Sequence, residues 1–158
     1  MLKYIGLALI ILASLALALG YGAYSRKRLA ELDGIIRLIT SIRDGIEVYL
    51  KPLYEIFSEF SDNALSAAGF VMSGDDPEAE YARLSGRLSL GSEVKRRLSE
   101  FFSVLGTGGK ERELSRIEEL HASLLDIRER ERGELARSRS VVGTVSCAIG
   151  LLLVILFI

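Results

Sequence analysis

The sequence predicts an all-α fold: a cytosolic bundle of about five to six helices between two transmembrane helices. Three observations carry this expectation. Each end is a long apolar run, the middle is striped at helical spacing, and no alternating run of β-branched residues signals a strand. The expected division is a span over 1–24, a bundle over 25–140 and a second span over 141–158.

The first run, "MLKYIGLALIILASLALALGYGAYSRKR", carries Lys3 as its sole charge before Arg26. A helix crosses the hydrocarbon core with about 20 apolar residues, and with as few as about 17. The closing run 141–158 offers 18 uncharged residues. Ala16-Leu17-Ala18 resembles a signal-peptide cleavage site, but the apolar run continues past it. Arg26, Lys27 and Arg28 then follow at once and oppose export.

Basic residues near span ends mark the cytoplasmic side. Arg26, Lys27, Arg28, Arg128, Arg130, Arg132, Arg137 and Arg139 flank the middle, against Lys3 on the far side. The middle is therefore expected in the cytosol, in a multi-pass protein of the cell membrane. A net charge of −1 from 20 basic and 21 acidic residues gives no reason to expect nucleic acid as a partner. Near anionic lipid each basic residue contributes about 1 kcal/mol of attraction, which accounts for the basic flanks as anchors. Cys147 is the single cysteine and reads as a small apolar residue of the second span.

Within the middle, Ile35, Ile39, Ile42, Ile46, Tyr49 and Leu53 recur every three or four residues and predict one helical stripe. Pro52 ends that helix, because the residue before a proline is pushed out of the α region. A second helix is predicted from Pro52 to Gly74, with Leu53, Ile56, Phe57, Phe60, Ala64, Ala67 and Val71 inward. Asp76 and Pro77 predict an N-cap and a first helical residue, with Glu78 and Glu80 in the first turn. The next helix has Ser92 as expected cap and Val94, Leu98, Phe101, Phe102 and Leu105 inward. "GTGG" is a turn, and a long helix runs from about Lys110 towards Ser140 with Leu114, Ile117, Leu120, Leu124 and Ile127 inward. Over 128–134 every position but Gly133 is charged, which predicts a solvated stalk.

Stretches that imitate catalytic motifs fail on spacing. "LGTGGKE" puts Val104 where a phosphate loop needs its first glycine and Glu111 where it needs a hydroxyl. "SEVK" and "SDN" occur in the reverse of the order found in penicillin-recognising enzymes, and the Lys-Thr-Gly element is missing. His121 is the single histidine, beside Leu120, and reads as a boundary residue; metal sites need several converging ligands. No catalytic, cofactor-binding or metal-ligating residue is assigned, and no enzyme activity is expected. Ala16 with Gly20 and Ser146 with Gly150 match small-xxx-small helix packing, a common pattern in spans of this composition.

The order of features resembles the stage III sporulation protein AB family of endospore-forming bacteria, over nearly the whole length. The features are Met1-Leu2-Lys3 and Gly6 ahead of an apolar run, a basic step, and an isoleucine-striped helix leading to Pro52-Leu53. After them come Phe57 and Phe60, Leu105-Gly106, a long charged helix and a terminal "GLLLVILFI". The chain departs from that pattern at Lys51, where threonine is frequent, in "TGGKERE", and in lacking tryptophan. The resemblance implies a soluble domain similar to the cytoplasmic domain of the type II secretion inner-membrane platform protein. It implies an adaptor in the mother-cell membrane facing the forespore, coupling a secretion-type ATPase and other stage III channel proteins to the membrane assembly. Self-association is left open. The alternative is a two-span membrane sensor with a helical ligand-binding domain. The partner surface expected on the long helix is Glu111, Arg112, Arg116, Glu118 and Glu119.

Overall fold

The computed structural model describes the backbone from Leu2 to Phe157 and the side chains from Ala23 to Arg137. Its elements are α-helical, with no strand among the described residues. They are α1 (Leu2–Asp44), a π-helical turn (Gly45–Tyr49), α2 (Leu53–Glu59), α3 (Asn63–Ala67), α4 (Pro77–Leu84), a 3-10 turn (Ser85–Arg87), α5 (Ser92–Val104) and α6 (Lys110–Phe157). By internal contacts the chain divides into two units, Met1–Arg26 with Arg130–Ile158, and Lys27–Glu129. No helix of described residues is long and apolar enough to cross a membrane. The runs expected as spans, 1–24 and 141–158, lie outside the described side chains except for Ala23 and Tyr24.

In the unit Lys27–Glu129, α1 is the central rod. Leu32, Ile35, Ile36, Leu38, Ile39 and Ile42 are all buried, on more than one face. A helix buried all round must be wrapped by other elements. The expected stripe holds as far as Ile42. Beyond it, Ile46 is half-buried and Tyr49 is exposed, because the backbone widens into the π turn at Gly45 and rotates the following side chains off the core. Gly45 permits the change: a Cβ there would stand 2.4 Å from Ile56 Cδ1.

The helix expected from Pro52 to Gly74 is instead two short helices and an irregular segment. Asp62 breaks it by capping α3, accepting hydrogen bonds from the N–H groups of Ala64 and Leu65 at 3.0 and 3.1 Å. The burial pattern shifts with the break. Leu65, Phe70 and Met72 are buried, whereas Ala67 and Val71 face solvent. Asp62 also accepts from Arg37 Nε at 2.9 Å and so fastens α3 to α1. The approach is close enough that a Cβ on Gly34 would meet Asp62 Oδ1 at 2.7 Å and Leu65 Cγ at 2.8 Å.

Asp76 caps α4 through the Ala79 N–H, with Pro77 following as expected. Glu80 reaches back to the Ser73 hydroxyl and to the Ser73 and Gly74 N–H groups, fixing the segment before the helix. At α5 the cap position is Gly91, with no side-chain cap, and Ser92 is the first helical residue. The inward set of α5 is the expected one, Val94, Leu98, Phe101, Phe102 and Leu105. Phe102 stacks on Tyr81 with centroids 4.9 Å apart, while Phe101 and Phe70 add edge-on contacts to that pair. Burial pushes the Tyr81 hydroxyl above the usual tyrosine range, so it stays protonated and donates to the Lys95 carbonyl at 2.9 Å. Along α6, Ile117, Leu120 and Leu124 are buried and Leu114 and Ile127 half-buried. The expected stalk is not wholly solvated at its start, since Arg128 pairs with Asp33 of α1 at 3.6 Å.

Two buried carboxylates hold loops. Glu31 on α1 accepts from the Ser89 N–H, 58 positions away, and lies 3.8 Å from Lys27 Nζ. Glu113 accepts from the Gly108 N–H at 2.9 Å and so holds the turn ahead of α6.

Two measurements check this packing. Gly→Ala in a helix interior ordinarily stabilises by about 1 kcal/mol. Gly34→Ala should instead destabilise by about 1–3 kcal/mol, as overpacking does, read from the urea midpoint of the purified chain. Burial acts to raise the Asp62 carboxyl's pKa, but the hydrogen bonds from Arg37, Leu65 and Ala64 outweigh it and leave it below its ordinary value. Its contribution is thus complete above the unfolded value of about 3.9 and is lost as pH falls through the lower folded value. Asp62→Asn keeps a capping side chain and should flatten the acid limb of a stability–pH curve. Asp62→Ala should also lose the cap, about 0.5–2 kcal/mol at neutral pH.

Candidate functional site

The end of α1 builds the least expected surface. Leu50 takes φ 51° and ψ 33°, the left-handed conformation usually left to glycine or asparagine. It is the one non-glycine residue with positive φ among the described residues. The turn is fixed from within, because the N–H groups of Leu50 and Lys51 both donate to the Gly45 carbonyl. That geometry turns large apolar side chains outward. Val48 is 65% exposed, Tyr49 66%, Leu50 73%, and Tyr54 in the first turn of α2 58%.

Charges frame this tip. Lys51 bridges Glu55 at 3.0 Å and Glu59 at 2.7 Å, and its ammonium lies 5.9 Å from the Tyr49 ring centroid, within cation–π range. Its hydrogen bonds with Glu59 and Glu55 raise its pKa above the usual lysine value, so it stays charged. Lys110 Nζ donates to the Glu47 carbonyl at 3.1 Å, joining the start of α6 to the tip. Beside it lies a groove of about 510 Å³ lined by Arg37, Thr40, Asp44, Tyr49, Lys51 and Glu59.

The row expected on α6 is partly gathered and partly dispersed. Glu111, Arg112, Glu118 and Glu119 are exposed and Arg116 is half-buried. Arg116 and Glu119 line a groove of about 210 Å³ between α5 and α6, floored by Phe101, Val104 and Leu120 and flanked by Arg97. Arg116 is held there by the Val104 carbonyl at 3.4 Å and by Glu113 at 3.6 Å. Glu118 turns elsewhere and contributes to the negative field at Arg43 of α1. Glu111 and Arg112 sit in the first turn of α6 and do not line the groove.

The motif-like stretches take structural roles. "LGTGGKE" is the α5–α6 turn, closed by Glu113. The aspartate of "SDN" is the α3 cap; a short polar residue three positions before buried Leu65 was the available signal for it. His121 is half-buried on α6. Among the described residues no three His, Cys, Asp or Glu side chains converge as a metal site would require. The tip was missed because Tyr49 continued the stripe arithmetically; Gly45 inside the stripe and Pro52 after it were the signs that the helix would not continue unchanged. The chain matches no known family model, no curated protein and no solved structure.

The left-handed turn gives a direct check. Holding leucine in this conformation costs roughly 1–2 kcal/mol, which asparagine bears more easily. With the Leu50 side chain mostly in water, Leu50→Asn should leave stability unchanged or raise it by up to about 1 kcal/mol. A thermal-shift series would show it, and a clear loss would mean that Leu50 packs within the monomer.

Proposed function

We propose that this chain is a non-enzymatic, membrane-anchored adaptor, its helical unit in the cytosol. In this reading it couples a secretion-type ATPase to a membrane assembly of the mother cell–forespore channel kind. The stage III sporulation protein AB resemblance supplies the identity of the assembly. The charges that flank the apolar ends supply the orientation. The observation that supports docking is the α5–α6 groove, where Arg116 and Glu119 stand at the edge of an apolar floor of Phe101, Val104 and Leu120. A compact unit with an apolar cleft and charges of both signs at its rim suits recognition of another protein: the floor gives affinity and the rim selects the partner.

The test is binding of the full-length chain in detergent to the purified sporulation ATPase. Arg97→Glu combined with Glu119→Lys, both at the groove, should slow association by several-fold to tenfold and weaken its salt dependence, with the helical content unchanged. Wild-type association by that variant would remove the α5–α6 groove from the proposal.

A further inference from the structure

We propose that two copies of this chain pair through the tip formed by the π turn, Leu50 and the start of α2, in a two-fold arrangement. The surface is separate from the α5–α6 groove, and the proposal does not depend on the identity of any other partner.

The tip has the physical marks of an unfinished surface. Isolated exposed apolar side chains are ordinary, whereas a cluster of several hundred Å² marks an interaction site. Val48, Tyr49, Leu50 and Tyr54 are each more than half exposed within seven positions. The backbone is also held in an unfavourable conformation that keeps Leu50 in water. Strain of that sort persists where surrounding structure enforces it, and it gathers at functional positions. The two hydrogen bonds to the Gly45 carbonyl and the close fit of Ile56 against Gly45 enforce it here.

A second copy fits because the charges at the tip are self-complementary. A two-fold interface sets one patch against itself, so its charges must occur in opposite-sign pairs that exchange across the axis. Most charges at the tip are already paired within the chain: Lys51 with Glu55 and Glu59, and Arg43 with Asp44. Glu47 and Lys110 differ. Lys110 reaches the backbone carbonyl of Glu47 rather than a carboxylate, and the Glu47 carboxylate adds to the negative field at Arg43, behind Asp44, without a close ion pair of its own. Around an axis near Leu50, Glu47 of each copy can meet Lys110 of the other, closing two ion pairs around an apolar centre.

The available area sets the strength. From their fractional exposures the four residues offer roughly 500 Å² per copy, hence at most about 1,000 Å² for the pair. That exceeds a packing contact of under about 800 Å² and falls below the 1,200–2,000 Å² of a stable complex. A weak dimer follows, populated when copies are held close together.

The experiment uses the full chain in vesicles, with Cys147→Ser to remove the native thiol. Leu50→Cys in this background, treated with a mild oxidant, should give at least five times more disulfide dimer than Arg96→Cys on the exposed face of α5. Copies carrying two different tags should appear together in the band. Glu47→Lys alone and Lys110→Glu alone should each cut the Leu50→Cys dimer several-fold, and both together should restore it. Restoration separates a two-fold charge exchange from apolar stickiness, and the Lys110 bond to a backbone carbonyl makes no demand on the residue 47 side chain. Equal crosslinking at Leu50 and Arg96, failure of the double reversal to restore it, or preferential capture of a different protein by Leu50→Cys would each overturn the proposal. ATPase binding would be unaffected by any of these outcomes.

Discussion

Between Glu31 and Ile42 the first helix leaves only Arg37 fully open to water, and the rest of this unit follows from that burial. A rod desolvated on nearly every side needs neighbours on nearly every side. The sequence after it therefore cannot form a long parallel-sided hairpin; it must bend round the rod in short pieces. Helices α2, α3 and α4 run only five to eight residues each. Helices so short are marginal alone in water, so their existence rests on packing and on caps rather than on propensity. One close contact in the wrap is at Gly34, where a missing Cβ lets the capped start of α3 descend onto the rod and lets Asp62 meet Arg37.

Polar groups within this apolar frame serve the backbone. Asp62, Glu80, Glu31 and Glu113 each accept from main-chain N–H groups in or beside loops and helix starts. A buried N–H without a partner is costly, and a carboxylate accepts such a bond more strongly than a neutral oxygen does. Abundant acids in a chain like this invite a search for paired catalytic carboxylates. Here these four are distributed one to a loop or helix start, each accepting from the backbone. Buried Glu31 and Asp62 also explain why the basic residues Lys27 and Arg37 approach the core without entering it: their charged ends stay near the surface while their partners anchor the backbone.

The two surfaces of functional interest arise from different kinds of constraint. The α5–α6 groove is a by-product of regular packing, in which neighbouring helices leave a shallow apolar seam and their flanking charges line it. The tip comes from an irregularity, a π turn and a left-handed leucine that rotate side chains out of the core. Lys110 connects them, since it begins the long helix and touches the turn. Partner binding along α6 and pairing at the tip would thus act on adjoining parts of one unit through separate residues.

By itself the sequence determined the helical class, the inward faces of α5 and α6, the cap at Asp76 with Pro77, and the turn at "GTGG". These are legible because periodicity, capping and glycine act within a few residues. The apolar ends and their basic flanks were legible on the same footing, as composition. Tertiary structure alone decided that α1 would be buried on more than one face, and that a π turn at Gly45 would expose Tyr49 and leave Ile46 half-buried where the stripe continued inward. It decided that Asp62 would divide a continuous apolar pattern, putting Phe70 and Met72 inside and Val71 outside. It also decided that Arg116 and Glu119, but not Glu111, Arg112 or Glu118, would share a groove. The physical reason is clearest for the first two. A helical stripe says that one face is apolar, but which neighbour covers it depends on close approaches at Gly34 and Gly45 between residues far apart in the chain, and local spacing carries no record of such distances.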